Sequence, residues 1–165
     1  MQHVQNRSTT SALVLTAVLI ALATLFTMYT KIPVPGIRGY FNVGDVVIMT
    51  SALLLGRKYG AYIGAIGPAL ADLFLGYAVF VPITFVVKGI EGYLVGTVYN
   101  NKTTTSALVA TIVGGIVIVA GYFIAEYFVF DPGVAIASIL TNTIQAVMSV
   151  IISMILYAIL RRRLA

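Results

Sequence analysis

Asp45, Asp72, Lys88, Glu91 and Glu126 lie in strongly apolar runs of this 165-residue chain. An ionisable side chain at the centre of a membrane helix costs on the order of 2.5–3.5 kcal/mol, so each needs a partner or a purpose. Their spacing groups them with other polar residues. Lys88 and Glu91 stand i, i+3 on one helical face, as do Asn142 and Gln145, while Tyr122 and Glu126 stand i, i+4. Such a mixture of donors and acceptors suits recognition of a small polar ligand better than a proton wire. A wire would set ionisable groups at successive depths, whereas these fall in one half of their helices and the other half reads as almost purely aliphatic.

Other chemistries are excluded by what the chain lacks. There is no cysteine, so no disulfide framework, thiolate metal site or cysteine nucleophile. The single histidine, His3, lies in the polar N-terminal segment, which removes histidine-based catalysis and metal binding within the apolar runs. Asp45 and Asp72 could face one another as an intramembrane aspartyl protease pair requires, but neither sits in a recognisable catalytic motif. The chain is read as a non-enzyme, with no cofactor and no metal.

The elements that hold these residues follow from the apolar runs. Hydrophobic residues make up 60% of the chain and charged residues 9%, too few charges to cover a soluble domain of this size, so the implied solvent is lipid. Helices are predicted over about 11–29, 43–56, 61–77, 79–99, 106–129 and 135–160. The first run is too long and lacks the cleavage signal for a secretory leader, and is read as the first membrane helix. The second is short for a span, which needs about 17–25 residues, so its outer end is expected to be buried among neighbours. The breaks are Lys31 to Tyr40 with two prolines and two glycines, the basic turn Gly56-Arg-Lys-Tyr-Gly60, the polar loop Asn100 to Thr105, and Phe130-Asp-Pro-Gly133. The fold class is an all-α membrane protein, a compact bundle of six transmembrane helices forming one domain over residues 1–165.

Six spans put both termini on one side. Arg7, Arg57, Lys58, Lys102 and Arg161 to Arg163 would then share that side, with only Lys31 and Arg38 opposite and Lys88 within a span. The positive-inside rule makes both termini cytoplasmic. The net charge of +5 is thus a topology signal, and no nucleic-acid partner is implied.

In this orientation Asp45, Asp72, Lys88, Glu91, Asn142 and Gln145 all fall in the outer half. Plainer roles stand beside ligand binding. Asp45 is placed to cap the second helix; Lys88 to pair with Asp72 or Glu91; Glu126 and Asp131 to be interfacial solvated groups. Tyr29, Tyr40, Tyr77 and Tyr127 fit an aromatic belt. Arg38, Tyr40 and Asn42, in the first outer loop, either cover a site or touch headgroups. Ala17-x-x-x-Ala21 in the first helix is a small-xxx-small pattern that lets another helix approach.

The six short spans, the Ala-x-x-x-Ala helix, the Pro/Gly-rich loop leading into Gly39-Tyr-Phe-Asn-Val-Gly-Asp-Val46, the basic turn and Val87-Lys-Gly-Ile-Glu-Gly-Tyr93 together resemble the substrate-binding S components of energy-coupling factor (ECF) vitamin transporters. The riboflavin-type branch, with its hydroxymethylpyrimidine- and pyridoxine-like members, is the most similar. The resemblance implies a multi-pass protein of a bacterial cytoplasmic membrane that captures a small vitamin from outside, beneath the first outer loop. It also implies docking through Ala17 and Ala21 onto a transmembrane coupling subunit carrying two ATPases. The chain has no P-loop of its own, in keeping with that division of labour. Hydroxymethylpyrimidine or pyridoxine is the expected ligand, with Lys88, Glu91, Asn142 and Gln145 as hydrogen-bond partners and Tyr40 or Tyr122 stacking on the ring. The alternatives are an S component for riboflavin or another vitamin, and a stand-alone secondary carrier, although the inverted repeats and broken helices of such carriers are not evident.

Overall fold

A computed structural model describes residues 9–33, 40–99 and 103–164. Among them are six helices: α1 Thr9–Tyr29, α2 Asp45–Leu55, α3 Arg57–Phe74, α4 Phe80–Val98, α5 Thr104–Val129 and α6 Pro132–Leu164. Two short antiparallel strands, β1 Ile32–Pro33 and β2 Tyr40–Phe41, bracket the α1–α2 loop, with Ile32 opposite Phe41 and Pro33 opposite Tyr40. The sequence suggested only an irregular loop there.

Four helices, α1, α4, α5 and α6, are long and apolar enough to cross a membrane. At 1.5 Å per residue, α2 is only about 16 Å long and cannot span a hydrocarbon layer of about 30 Å. It occupies the centre of the bundle instead, in contact with all five other helices. Every residue from Asp45 to Leu53 is buried, the environment that a helix apolar on all sides requires. The third helix carries Arg57 and Lys58 at one end and Asp72 near the other.

Two boundaries differ from the sequence reading. The basic turn contracts to Gly56 alone, whose φ of 91° breaks the chain between α2 and α3, so Arg57 to Gly60 open α3 rather than precede it. At the other end α3 stops at Phe74, short of Tyr77, in a complete Schellman motif. The Tyr77 amide donates to the Asp72 carbonyl and the Gly76 amide to the Leu73 carbonyl, with Gly76 at φ 81°. The motif holds Asp72 one turn inside the helix end.

The α3–α4 contact is the closest in the bundle and comes from glycine. A methyl group placed on Gly64 would lie 2.1 Å from the Lys88 carbonyl oxygen, and one on Gly92 2.1 Å from the Gly60 carbonyl oxygen. Gly60-x-x-x-Gly64 and Gly92-x-x-x-Gly96 thus form facing small-residue stripes, which let two membrane helices meet backbone to backbone. In the sequence the small-xxx-small pattern was read only in α1, at Ala17 and Ala21. Its consequence is positional, because it fixes the depth of Lys88 and Glu91 against α3.

The half of the bundle at the Arg57, Lys58 and Arg161 end is less aliphatic than expected. Tyr99 and Tyr157 hydrogen-bond through their hydroxyls, both buried, with the Arg161 guanidinium 5.8 Å from the Tyr157 ring. Ser153 donates to the Val46 carbonyl across the α2–α6 contact, as small hydroxyl residues do when they tie membrane helices together. Thr111, also buried, returns its hydroxyl to carbonyls of its own helix.

Candidate binding site

At the opposite end, beneath the β1–β2 strands, one buried network joins four elements. Lys88 of α4 donates to Oδ1 of Asp45 on α2, and its ammonium lies 3.8 Å from a Glu91 oxygen. The other Asp45 oxygen accepts from Gln145 Nε2 of α6 at 2.8 Å. The Gln145 carboxamide oxygen in turn accepts the Asn42 backbone N–H at 2.9 Å. Asn42 turns the chain into α2 by accepting the Gly44 amide on its own side chain, also at 2.9 Å. Asp45 therefore makes no side-chain cap on α2; its carboxylate is committed to Lys88 and Gln145.

Asp72, placed by sequence opposite Lys88, takes a different partner. Its Oδ1 accepts the Tyr40 hydroxyl at 2.6 Å, which anchors β2 to the end of α3. The Tyr40 ring packs on Tyr77 with centroids 5.0 Å apart, and the Lys31 ammonium stands 4.8 Å from the Tyr77 ring. Burial, and then the Asp72 carboxylate, push the Tyr40 phenol far above its ordinary range, so it keeps its proton and donates. Tyr77 and Tyr40 thus serve the loop anchor rather than an aromatic belt, while Tyr29 is 85% exposed and suits one.

Between this anchor and the Lys88 network lies a cavity bounded by Tyr40, Asn42, Asp72, Lys88, Tyr122, Asn142 and Gln145. These are seven of the ten ligand-binding candidates of the sequence. Asp45 and Glu91 sit one layer behind, and Arg38 lies outside the described residues. The Tyr122 ring faces the Lys88 ammonium at 5.5 Å, and its hydroxyl pairs with Thr84 at 2.9 Å. Several buried polar atoms in and behind the wall have no hydrogen-bond partner: Thr27 Oγ1, Asp72 Oδ2, Asn142 Nδ2 and both Glu91 oxygens. Unmatched buried polar atoms cost about 1–3 kcal/mol each, and their concentration here marks a surface fitted to something polar.

The cavity also contains residues that the sequence reading placed elsewhere or passed over. Glu126, assigned to the solvated interface, is 4% exposed and accepts a hydrogen bond from Ser138 of α6. Asp131 is exposed, and its side chain accepts the Val134 amide at the start of α6. Thr27, Pro68, Phe80, Thr84 and Ser138 complete the wall. A signal for two of these existed: Thr84 is i−4 from Lys88, and Ser138 is i−4 from Asn142.

The free volume of the cavity is about 30 Å³, room for one or two water molecules. A ring-bearing ligand therefore requires a wall to move. Larger recesses of about 540 and 310 Å³ lie elsewhere, between α5 and α6 and between α1, α2 and α6. Their linings are almost wholly aliphatic, as lipid-facing grooves are.

Residues 7–162 match the model of the family described as ECF-type riboflavin transporter, S component. The chain belongs to this family. The S component is 41% identical over 144 residues to an uncharacterized protein of Pyrococcus woesei, covering 86% of this chain and 95% of the relative. It is 30% identical over 149 residues to the thiamine precursor transporter HmpT of Lactococcus lactis subsp. cremoris (strain MG1363), covering 89% and 83%. A solved S component of a bacterial ECF transporter superposes with a TM-score of 0.78 at 21% identity, covering 95% of this chain and 99% of that one; this establishes the shared fold. As an S component the protein is a multi-pass cell-membrane transport protein and not an enzyme. Ala17 and Ala21 lie on an exposed face of α1 together with Leu13, Val14 and Val18.

Proposed function

We propose that this S component captures hydroxymethylpyrimidine, a thiamine precursor, in the cavity beneath the β1–β2 strands. The observation that carries the reading is the set of unpartnered buried polar atoms, Thr27 Oγ1, Asp72 Oδ2 and Asn142 Nδ2, on residues of three helices that line one cavity. The HmpT relative supports the ligand. Tyr122, held over Lys88 and bonded to Thr84, is the stacking surface for the ring, and Asn142 and Gln145 supply donors. Entry follows release of the Tyr40–Asp72 hydrogen bond, which frees β2 to swing away.

In this reading residues 1–165 act as one unit, with both termini cytoplasmic and the β1–β2 strands outside. The exposed face of α1 around Ala17 and Ala21, small and free of polar groups, docks against a transmembrane coupling subunit whose two ATPases power delivery. Calorimetric titration of the purified chain with hydroxymethylpyrimidine, pyridoxine and riboflavin tests the capture step. Hydroxymethylpyrimidine should bind with micromolar or tighter affinity, and Lys88→Ala should weaken it by about tenfold or more, because the Asp45 carboxylate is then buried without its counter-charge and the network behind the cavity wall is disrupted. A protein that shows neither heat nor thermal shift with any of the three sinks the proposal. Pull-down from native membranes tests the docking arm: Ala17→Trp and Ala21→Trp should lose the coupling subunit while ligand binding survives.

A further inference from the structure

The capture reading above requires room that the closed cavity lacks. Its free volume is about 30 Å³, whereas an apolar cavity of about 150 Å³ is what holds a benzene ring. Among the described residues three aromatic rings line the space, those of Tyr40, Phe80 and Tyr122. Two of them are tied by their hydroxyls, Tyr40 to Asp72 and Tyr122 to Thr84. The third, Phe80, has no polar atom by which to be held, yet it fills the most ring-shaped piece of the lining that can leave without breaking a hydrogen bond.

Phe80 is the first residue of α4, one turn before Thr84 and two before Lys88, and it is 7% exposed. Its ring packs edge-on to Tyr77, with centroids 6.3 Å apart, and tilted against Phe130 at 5.4 Å. Tyr77 in turn packs on Tyr40 at 5.0 Å. A chain of four rings therefore runs from β2 to the turn between α5 and α6, so that movement of β2 unseats Tyr77 and with it one side of Phe80. The backbone is placed to yield as well. The opening amides of a helix have no i−4 partner within it; that of Phe80 is held by the Tyr77 carbonyl at 2.8 Å, and Val79 beside it is exposed.

We infer that Phe80 is a resident plug: its ring fills, in the empty protein, the space that the ligand's ring takes, and it turns out past the end of α4 as the ligand enters. A close-packed interior does not leave a ring-sized hole standing open, and a side chain that fills it keeps the bundle packed between captures. Such a plug lowers the apparent affinity by the fraction of the population in which the site is open. Trimming it should tighten binding, whereas trimming a wall residue that touches the ligand weakens binding. The sign of the effect separates the two roles.

The test starts from calorimetric titration of the unaltered chain with hydroxymethylpyrimidine, which supplies the reference Kd. Phe80→Ala should bind at least about threefold tighter, with faster association in stopped flow. Phe80→Leu, which keeps more of the space filled, should fall between the two, and it carries the measurement if Phe80→Ala does not melt cooperatively. The chain contains no tryptophan, so Phe80→Trp adds a lone reporter at the plug itself. Its emission should move to longer wavelength, and acrylamide should quench it more, as ligand is added. Should the bulkier ring block binding, the affinity series decides alone. Unchanged or weaker binding in the trimmed variants, or a reporter that bound ligand leaves in place, overturns the plug and leaves capture intact, because the unaltered chain still binds. No heat from the unaltered chain with hydroxymethylpyrimidine, pyridoxine or riboflavin overturns both.

Discussion

At the end of the bundle beneath the β1–β2 strands, α2, α4 and α6 meet through Asp45, Lys88, Glu91 and Gln145. At the basic end the same helices meet through Val95, Tyr99, Ser153 and Tyr157. Both contacts bury polar atoms, yet they differ in how the atoms are satisfied. The tyrosine pair is closed on itself and Ser153 returns its hydroxyl to a backbone carbonyl, so that outside the cavity network only the single hydroxyls of Thr50 and Ser149 lack a partner among the described residues. The upper network leaves acceptors on Glu91 and Asp72 and a donor on Asn142 with nothing to bond. Helix packing alone is served by the first arrangement. The second withholds hydrogen-bonding capacity from the fold, which is useful only if something outside the chain takes it up.

The contrast can be broken most forcefully at the glycine contact that supports it. Gly92→Val should abolish the folded bundle or lower its melting temperature by more than any other single change considered, since even a methyl group at Gly92 would meet the Gly60 carbonyl oxygen at 2.1 Å. The expected cost is above about 4 kcal/mol, read by thermal unfolding in detergent. A melt close to that of the unaltered chain would mean that the α3–α4 backbone contact is not the structural base of the site.

Asp45→Ala comes next. It strands Lys88 and Gln145 in a buried site and should cost about 3–5 kcal/mol of stability. The double replacement Asp45→Leu with Lys88→Met should recover much of that stability but no ligand binding. Recovery of both would place the upper network with the tyrosine pair, as packing and nothing more.

The smallest effects separate the two ends most cleanly. Tyr99→Phe and Tyr40→Phe each delete one hydroxyl hydrogen bond, worth about 1 kcal/mol. The first should lower the melting temperature slightly and leave ligand kinetics alone. Tyr40→Phe should accelerate ligand association and dissociation, because it frees β2 from Asp72. Stopped-flow binding with each variant decides it; identical kinetics for the two would remove the gating role of Tyr40. With the phenol held far above its ordinary range, it stays neutral as pH rises, so association should show no alkaline break near pH 10 arising from this residue.

Much of this was readable from the chain. The apolar runs, their Pro/Gly breaks and the ionisable residues within them marked a helical membrane bundle with its carboxylates gathered at one end, and the brevity of the second run marked its outer end as buried among neighbours. The pairing of those charges was not readable. Asp72 and Lys88 occupy similar depths on consecutive helices, yet Lys88 turns to Asp45 and Asp72 to Tyr40, because α2 runs through the centre of the bundle and a strand pair covers α3. Glu126 illustrates the same limit. Its position near a helix end suggested the interface, and only the fold of α6 back against α5 brings Ser138 to it and buries it.

The sequence by itself determined the solvent, the helices and the end at which polar chemistry is held, since each follows from local hydrophobicity and the cost of charge in lipid. Which carboxylate meets the lysine, which meets the loop tyrosine and which remain unmatched was decided only by the tertiary structure. Those outcomes depend on helix rotation and approach, set here by glycines meeting backbone across α3 and α4 and by a buried α2, and they join residues up to 100 positions apart.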